Sequence, residues 1–234
     1  MRLPQARLGV HGPYNGRVHL QPREWSSVMK KSDMLLNGPA KAETVFILAH
    51  GAGAAMDTPF MEFFAAELEC SELRVARFEF PYMAARRTTG KRPGPDREPK
   101  LRATWHDAIE SFSDKRIIIG GKSMGGRIAS LVADDAEVDG LICLGYPFHP
   151  PGKPDRLRTE HLADIKTPTL ILQGTRDPFG KPDEVGSYKL SKQISVHWLE
   201  DGDHSFKPRK SSGRTEADNW SEAVNQIREF LDLG

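Results

Sequence analysis

Cysteine is scarce: Cys70 and Cys143 are the only two in 234 residues. Two thiols cannot build a disulfide framework or a tetrahedral cysteine metal site, and such sparing use points to a reducing compartment, the cytoplasm. Long hydrophobic runs are also missing. None approaches the roughly 20 apolar residues needed to span a bilayer, so no membrane association is expected. Charge of one sign is lacking too, since 33 Lys and Arg face 32 Asp and Glu for a formal net charge of +1. That balance argues against a nucleic-acid partner, which calls for a basic excess. With 38% hydrophobic and 28% charged residues, the chain is neither disordered nor fibrous and is long enough for one sizeable core. The first 23 residues hold arginine but no acid. They lack the alanine and serine richness and the amphipathic period of a transit peptide, and an extension upstream of a start at Met29 accounts for them equally. Residues 1–33 are accordingly read as an N-terminal extension whose role the composition leaves open, and residues 34–234 as one domain.

From Glu43 onward, short apolar or β-branched runs alternate with longer helical ones, the pattern of a mostly parallel sheet flanked by helices. Strands are predicted at 44–49, 74–80, 116–119, 138–145, 169–173 and 194–199. Helices are predicted at 59–69, 101–112, 124–133 and 217–231, with Pro59 suited to a first turn. The segment before Glu43 adds one or two antiparallel strands at the sheet edge, giving about six to eight in all. The connection 146–166 is too short for a helical lid domain.

Gly121-Lys-Ser-Met-Gly125 follows a strand directly and opens a helix. That context gives a G-x-S-x-G match its meaning: the serine sits on a tight, strained turn, and larger side chains two positions away would strike neighbouring backbone. A neutral serine needs a base within hydrogen-bond reach and an acid to orient that base, and in this architecture they follow in the order acid, then histidine. Asp177, just past the strand 169–173, and His204, just past 194–199, fit as acid and base. Asp183 and Glu184 are distant substitutes for Asp177. Asp201 and Asp203 lie too close to His204 in sequence and shape its turn. His11, His19, His106, His161 and His197 read as surface or packing residues. His50-Gly-Ala-Gly53 follows the first strand, where this architecture donates a second oxyanion-hole N–H. The hole is assigned to the backbone N–H groups of Met124 and Ala52, with Gly53 as the alternative to Ala52, while His50 holds the loop.

Two nucleotide motifs fail. A phosphate-binding loop ending at Gly121-Lys-Ser123 would need glycine where Arg116 stands, with strand in place of loop between them. A dinucleotide fingerprint starting at Gly51-Ala-Gly53, with Glu79 on a ribose, meets Met56 at its third glycine and leaves the serine, aspartate and histidine unexplained.

His50-Gly-Ala-Gly53, Arg77-Phe-Glu-Phe-Pro-Tyr82, Gly120 to Arg127, Leu144 to Gly152 and Gly174-Thr-Arg-Asp-Pro178 together resemble the dienelactone-hydrolase-like α/β-hydrolases. More narrowly, residues 41–233 look like a branch of bacterial hydrolases grouped with testis-expressed proteins and a subunit of a histone acetyltransferase complex. The resemblance implies an α/β-hydrolase fold. Dienelactone hydrolases proper use a cysteine nucleophile where this chain has Ser123, so their substrate does not transfer. Eukaryotic members of the branch are linked to scaffolding, which makes a catalytically silent interaction module the alternative function.

The reading is a serine esterase or thioesterase acting on a small molecule, with no metal and no cofactor; composition leaves the oligomeric state open. Arg86, Arg87, Lys91, Arg92, Arg97, Lys100 and Arg102 outnumber Asp96 and Glu98 in one segment, and Lys207, Arg209, Lys210 and Arg214 follow His204. Solvated loops are the simpler account of such runs. The functional account is an anionic substrate carrying carboxylate or phosphate, bound near Arg86 and Arg87. Tyr82, Tyr146 and His149, which follow strand ends, are candidates for an acyl pocket, and Lys122 and Glu79 are expected to face each other at its mouth.

Overall fold

A run such as Thr-Val-Phe-Ile-Leu-Ala, with no polar residue to turn toward water after its first position, suits a strand covered on both faces. In the computed structural model, which describes residues 29–233, Thr44–Ala49 is such a strand, β2, buried at every position. The expectations for residues 1–28 lie outside the described residues. The sheet has seven strands: β1 (Leu35–Asn37), β2, β3 (Leu73–Phe78), β4 (Arg116–Lys122), β5 (Gly140–Leu144), β6 (Thr169–Gly174) and β7 (Ile194–Leu199). Their spatial order is β1-β3-β2-β4-β5-β6-β7. β1 runs antiparallel to β3, while every other neighbouring pair is parallel. The chain therefore builds outward from β2 to β3 and then jumps to the other side of β2 for β4. Ligands of open α/β sheets meet the carboxyl ends of strands at such a reversal.

Helices α1 (Pro59–Leu68) and α6 (Glu216–Phe230) cover one face of the sheet. Helices α2 (Pro81–Thr89), α3 (Glu98–Glu110) and α4 (Met124–Ser130) contribute to the other, and a short α5 (Pro182–Val185) precedes β7. Side chains of β2 alternate between the faces as the period of two requires. Val45, Ile47 and Ala49 join Phe78, Trp105 and Ile119 in one core. Phe46 and Leu48 join Phe64, Leu68, Val224 and Ile227 in the other. Thr215 caps α6, accepting the Asp218 N–H on its hydroxyl at 3.1 Å while its own N–H reaches the Asp218 carboxylate at 2.8 Å.

Two differences from the sequence expectations have local causes. α4 stops at Ser130, because Leu131 and Val132 donate to carbonyls three residues back and tighten the chain toward β5. α2 has no counterpart among the expected helices. Pro81 opens it and Gly90, at φ 66°, closes it, which turns the first part of the basic segment into helix. Between β5 and β6 the only helical turn is 3-10, Glu160–Ala163, so no lid helices stand over the sheet. Among the described residues no helix is long and apolar enough to cross a membrane.

Candidate active site

The carboxyl end of β4 enters its turn under severe crowding. A methyl group on Gly121 would lie 2.5 Å from the Ala49 carbonyl oxygen, and one on Gly125 would lie 2.6 Å from both the Ala49 and His50 oxygens. Glycine at both places lets β4 and α4 pass this close to β2, and Ser123 between them takes φ 53° and ψ −115°, outside the regions side chains prefer. The strain lifts the hydroxyl off the sheet edge.

Asp177 and His204 reach that hydroxyl from the turns after β6 and β7. Ser123 Oγ lies 2.8 Å from His204 Nε2, and His204 Nδ1 lies 2.7 Å from Asp177 Oδ2. A carboxylate can only accept, so Nδ1 carries the ring hydrogen and Nε2 is left to receive the serine proton. Asp177 is fully buried; its Oδ2 also accepts Gln173 Nε2 at 2.9 Å and its Oδ1 the Phe179 N–H at 2.9 Å. Gln173 is itself pinned, accepting the Tyr146 N–H at 2.7 Å. The Phe179 ring lies against the His204 imidazole, centroids 4.2 Å apart. Burial holds the His204 pKa below its ordinary 6.5, against the upward pull of the Asp177 hydrogen bond, and the Lys122 charge adds to the depression. The imidazole is therefore neutral, the form a general base needs, at neutral pH.

Lys122 donates to the His204 carbonyl oxygen and lies over the Phe60 ring, 5.6 Å from its centroid. Removal from solvent pushes its pKa down to about 8. It does not face Glu79 as expected, because β2 lies between their strands and separates them by about 10 Å. Glu79 instead binds Arg87 at 2.6 and 2.8 Å and the Met56 N–H at 3.3 Å. Asp203 accepts the Ser205 and Lys207 N–H groups, and Asp201 clasps Arg209, so both shape the turn carrying His204. His50 is buried and neutral, its pKa lowered by burial; it bridges the Gly51 carbonyl at 2.7 Å and the Phe80 N–H at 3.1 Å, which fixes the loop.

Two hollows flank Ser123. One, of about 400 Å³, is lined by Gly53, Phe60, Met61, Lys122, His204 and Trp220. The other, of about 410 Å³, is lined by Ala52, Met124, Arg127, Pro147, Arg158 and Phe179. The Met124 and Ala52 N–H groups have no partner among the described residues, and both residues border the second hollow beside Ser123.

Of the expected pocket residues, Lys122 lines a hollow with Ser123 and the others do not. Tyr82 is buried with its hydroxyl on the Ala52 carbonyl at 3.0 Å, which supports the loop from behind. Tyr146 is buried with its hydroxyl on the Arg158 carbonyl at 2.9 Å, and His149 is buried against the Pro150 carbonyl at 2.9 Å. Arg87 is committed to Glu79 and Asp57, and Arg86 to the Pro93 carbonyl and the Tyr82 ring. In the basic run after His204 both arginines are engaged, Arg209 with Asp201 and Arg214 with Glu222, whereas the Lys207 and Lys210 ammonium groups have no partner among the described residues. Gln173, Phe179, Arg127 and Arg158 were not singled out by the sequence reading. A lone glutamine ending an aliphatic strand was the one available clue to Gln173.

A parallel sheet bearing a strained serine turn at its switch point, with histidine and aspartate from the two following strand ends, defines the α/β-hydrolase architecture. A family model for the alpha/beta hydrolase domain matches residues 42–232, and the chain belongs to that family. Solved structures agree in fold. An α/β serine hydrolase homologue from Coxiella burnetii is 22% identical with a TM-score of 0.61, covering 83% of this chain and 90% of that one. A serine hydrolase without lid from Xanthomonas campestris is 18% identical, TM-score 0.60, covering 84% and 88%. A dienelactone hydrolase from Anabaena variabilis is 20% identical, TM-score 0.59, covering 82% and 88%.

Proposed function

We propose that the chain is a serine hydrolase that cleaves a small ester or thioester through an acyl-enzyme intermediate. One observation carries the reading: the unbroken path of short hydrogen bonds from Ser123 Oγ through His204 to Asp177. His204 Nε2 takes the serine proton as Oγ attacks the acyl carbon, and Asp177 holds the Nδ1–H and stabilises the imidazolium that forms. The carbonyl oxygen becomes an oxyanion beside the Met124 and Ala52 N–H groups, with Gly53 the alternative to Ala52. Collapse expels the alcohol or thiol, which leaves with the proton from His204. Water, deprotonated by His204, then attacks the acyl carbon; the acid departs and Ser123 recovers its hydrogen. The steps consume water alone. The free thiols of Cys70 and Cys143 suit a reducing compartment, so the substrate is sought among small cytoplasmic metabolites.

The test is labelling with a fluorophosphonate serine probe beside Ser123→Ala and His204→Ala, followed by hydrolysis of short-chain aryl esters. Labelling of the wild type and its loss in both variants is the expected result. Folded wild-type protein that resists the probe and hydrolyses none of the esters would overturn the proposal and favour an interaction module.

A further inference from the structure

The second hollow carries a cation that nothing in the protein answers. Arg158 is half-buried, yet its guanidinium has no hydrogen bond, ion pair or ring contact among the described residues. Its pKa is lowered by burial and then by the charge of Arg127, so it sits withdrawn from water beside a like charge. Arg127, one helical turn after Ser123, places one arm 3.1 Å from Glu98, while its Nε is buried with no partner. A guanidinium partly withdrawn from water beside a like charge gains from a ligand that pairs it. The acids bordering the hollow are both occupied, Glu98 by Arg127 and Asp96 by Lys100 at 2.8 Å and by the Tyr82 N–H. The adjoining surface adds no charge from His161, whose pKa is pushed down to about 4 by burial and by Arg127. Within the hollow itself, pairing these groups leaves the positive charge of Arg158; Glu160 and Asp164 lie with it on the adjoining surface, and Arg156 adds a further positive charge nearby.

We propose that this hollow binds a carboxylate of the substrate, held by the Arg158 guanidinium with the free Nε of Arg127 beside it. The proposal rests on the serine hydrolase reading and narrows it to an ester or thioester bearing a free carboxylate. Guanidinium geometry matches carboxylate and phosphate alike. One unpaired arginine in the hollow, with Glu98 and Asp96 on its wall and Glu160 and Asp164 on the adjoining surface, favours a monoanion over a phosphate dianion. Arg127 begins one turn, about 5.4 Å, from the nucleophile, so a short linker separates the carboxylate from the scissile carbonyl.

Kinetics and binding together test this. Matched aryl or alkyl esters, one member with a terminal carboxylate and the other its methyl ester, are compared with the carboxylate on the acyl arm and on the alcohol arm. At least one pair is expected to favour the anion by about tenfold or more in kcat/KM, chiefly through KM, and Arg158→Met brings that ratio near one. In parallel, monomethyl glutarate is titrated into Ser123→Ala and into Ser123→Ala combined with Arg158→Met, where loss of about tenfold in affinity is expected. If the wild type labels with the fluorophosphonate but no pair shows a preference and the titrations coincide, the carboxylate site is refuted and the hydrolase reading survives. If labelling fails while Arg158-dependent binding persists, the hydrolase reading falls and the anion site stands.

Discussion

Replacing Gln173 with Glu turns one side-chain NH₂ into an oxygen at nearly constant shape, and the surroundings dictate the outcome. The Gln173 oxygen accepts the Tyr146 N–H, while its nitrogen donates to Asp177 Oδ2 at 2.9 Å and to the Tyr146 and Gly180 carbonyls. In Gln173→Glu the replaced atom faces three acceptors and must carry a proton. Ionised, it would stand 2.9 Å from a carboxylate. At that distance and an effective dielectric of about 20, the repulsion is about 6 kcal/mol, which retains the proton about four pH units beyond its ordinary loss near 4.3. Below about pH 8 the protonated carboxyl therefore still donates to Asp177, and ester hydrolysis falls within about tenfold of wild type. One O–H cannot serve three acceptors, so stability drops by about 1–3 kcal/mol at every pH. The folded variant also holds a proton that the unfolded chain has released, so its stability declines further as pH rises across that window. The assay is kcat/KM on a short aryl ester and thermal melting, each followed from about pH 5 to pH 9. A variant whose activity and melting profiles run parallel to those of the wild type would refute the reasoning, as would a folded variant inactive throughout.

Two further outcomes follow from the same neighbourhood. In the wild type the acid limb of the pH–rate profile lies below 6.5, and Lys122→Met moves it upward because the ammonium helps hold His204 deprotonated. Lys122 is depressed to about 8 from its ordinary 10.5, so between those values the unfolded chain binds more protons than the folded one and wild-type stability rises with pH. Melting of Lys122→Met lacks that rise; an unchanged slope would locate the titration elsewhere. Gly125→Ala drives a methyl to 2.6 Å from two backbone oxygens and lowers the melting temperature by about 5–10 °C, whereas Gly94→Ala, with nothing within 4 Å, shifts it by about 2 °C or less.

The serine turn was legible because its constraint is local: strand, two glycines and helix must be consecutive, and the crowding at Gly121 and Gly125 leaves no room for a side chain. Asp177 and His204 were legible through chain order and their positions just past aliphatic runs. Helix α2 escaped because its residues, Tyr-Met-Ala-Ala-Arg-Arg-Thr-Thr, offer a weak apolar stripe and read as the start of a charge run. Pro81 and Gly90 bracketed it all the same. The charges misled for a related reason. Whether an arginine is free depends on partners such as Glu79 or Asp201, which only the folded chain brings near, and of the two arginines lining a hollow with Ser123 only Arg158 lacks one. Gln173 illustrates the same limit, since its contacts come from three separate turns.

The two hollows meet at Ser123 and along its neighbours, Gly51 and Gly53 lining one beside Ala52 of the other and Lys122 one beside Met124 of the other, while their outer walls, Phe60 and Trp220 against Arg158 and Phe179, come from different stretches of chain. Substitutions on the outer walls, away from the shared serine, combine their effects nearly independently. A lineage carrying this scaffold can therefore revise its taste for one half of the molecule it cuts while leaving the other half alone, and selection can explore the two preferences separately.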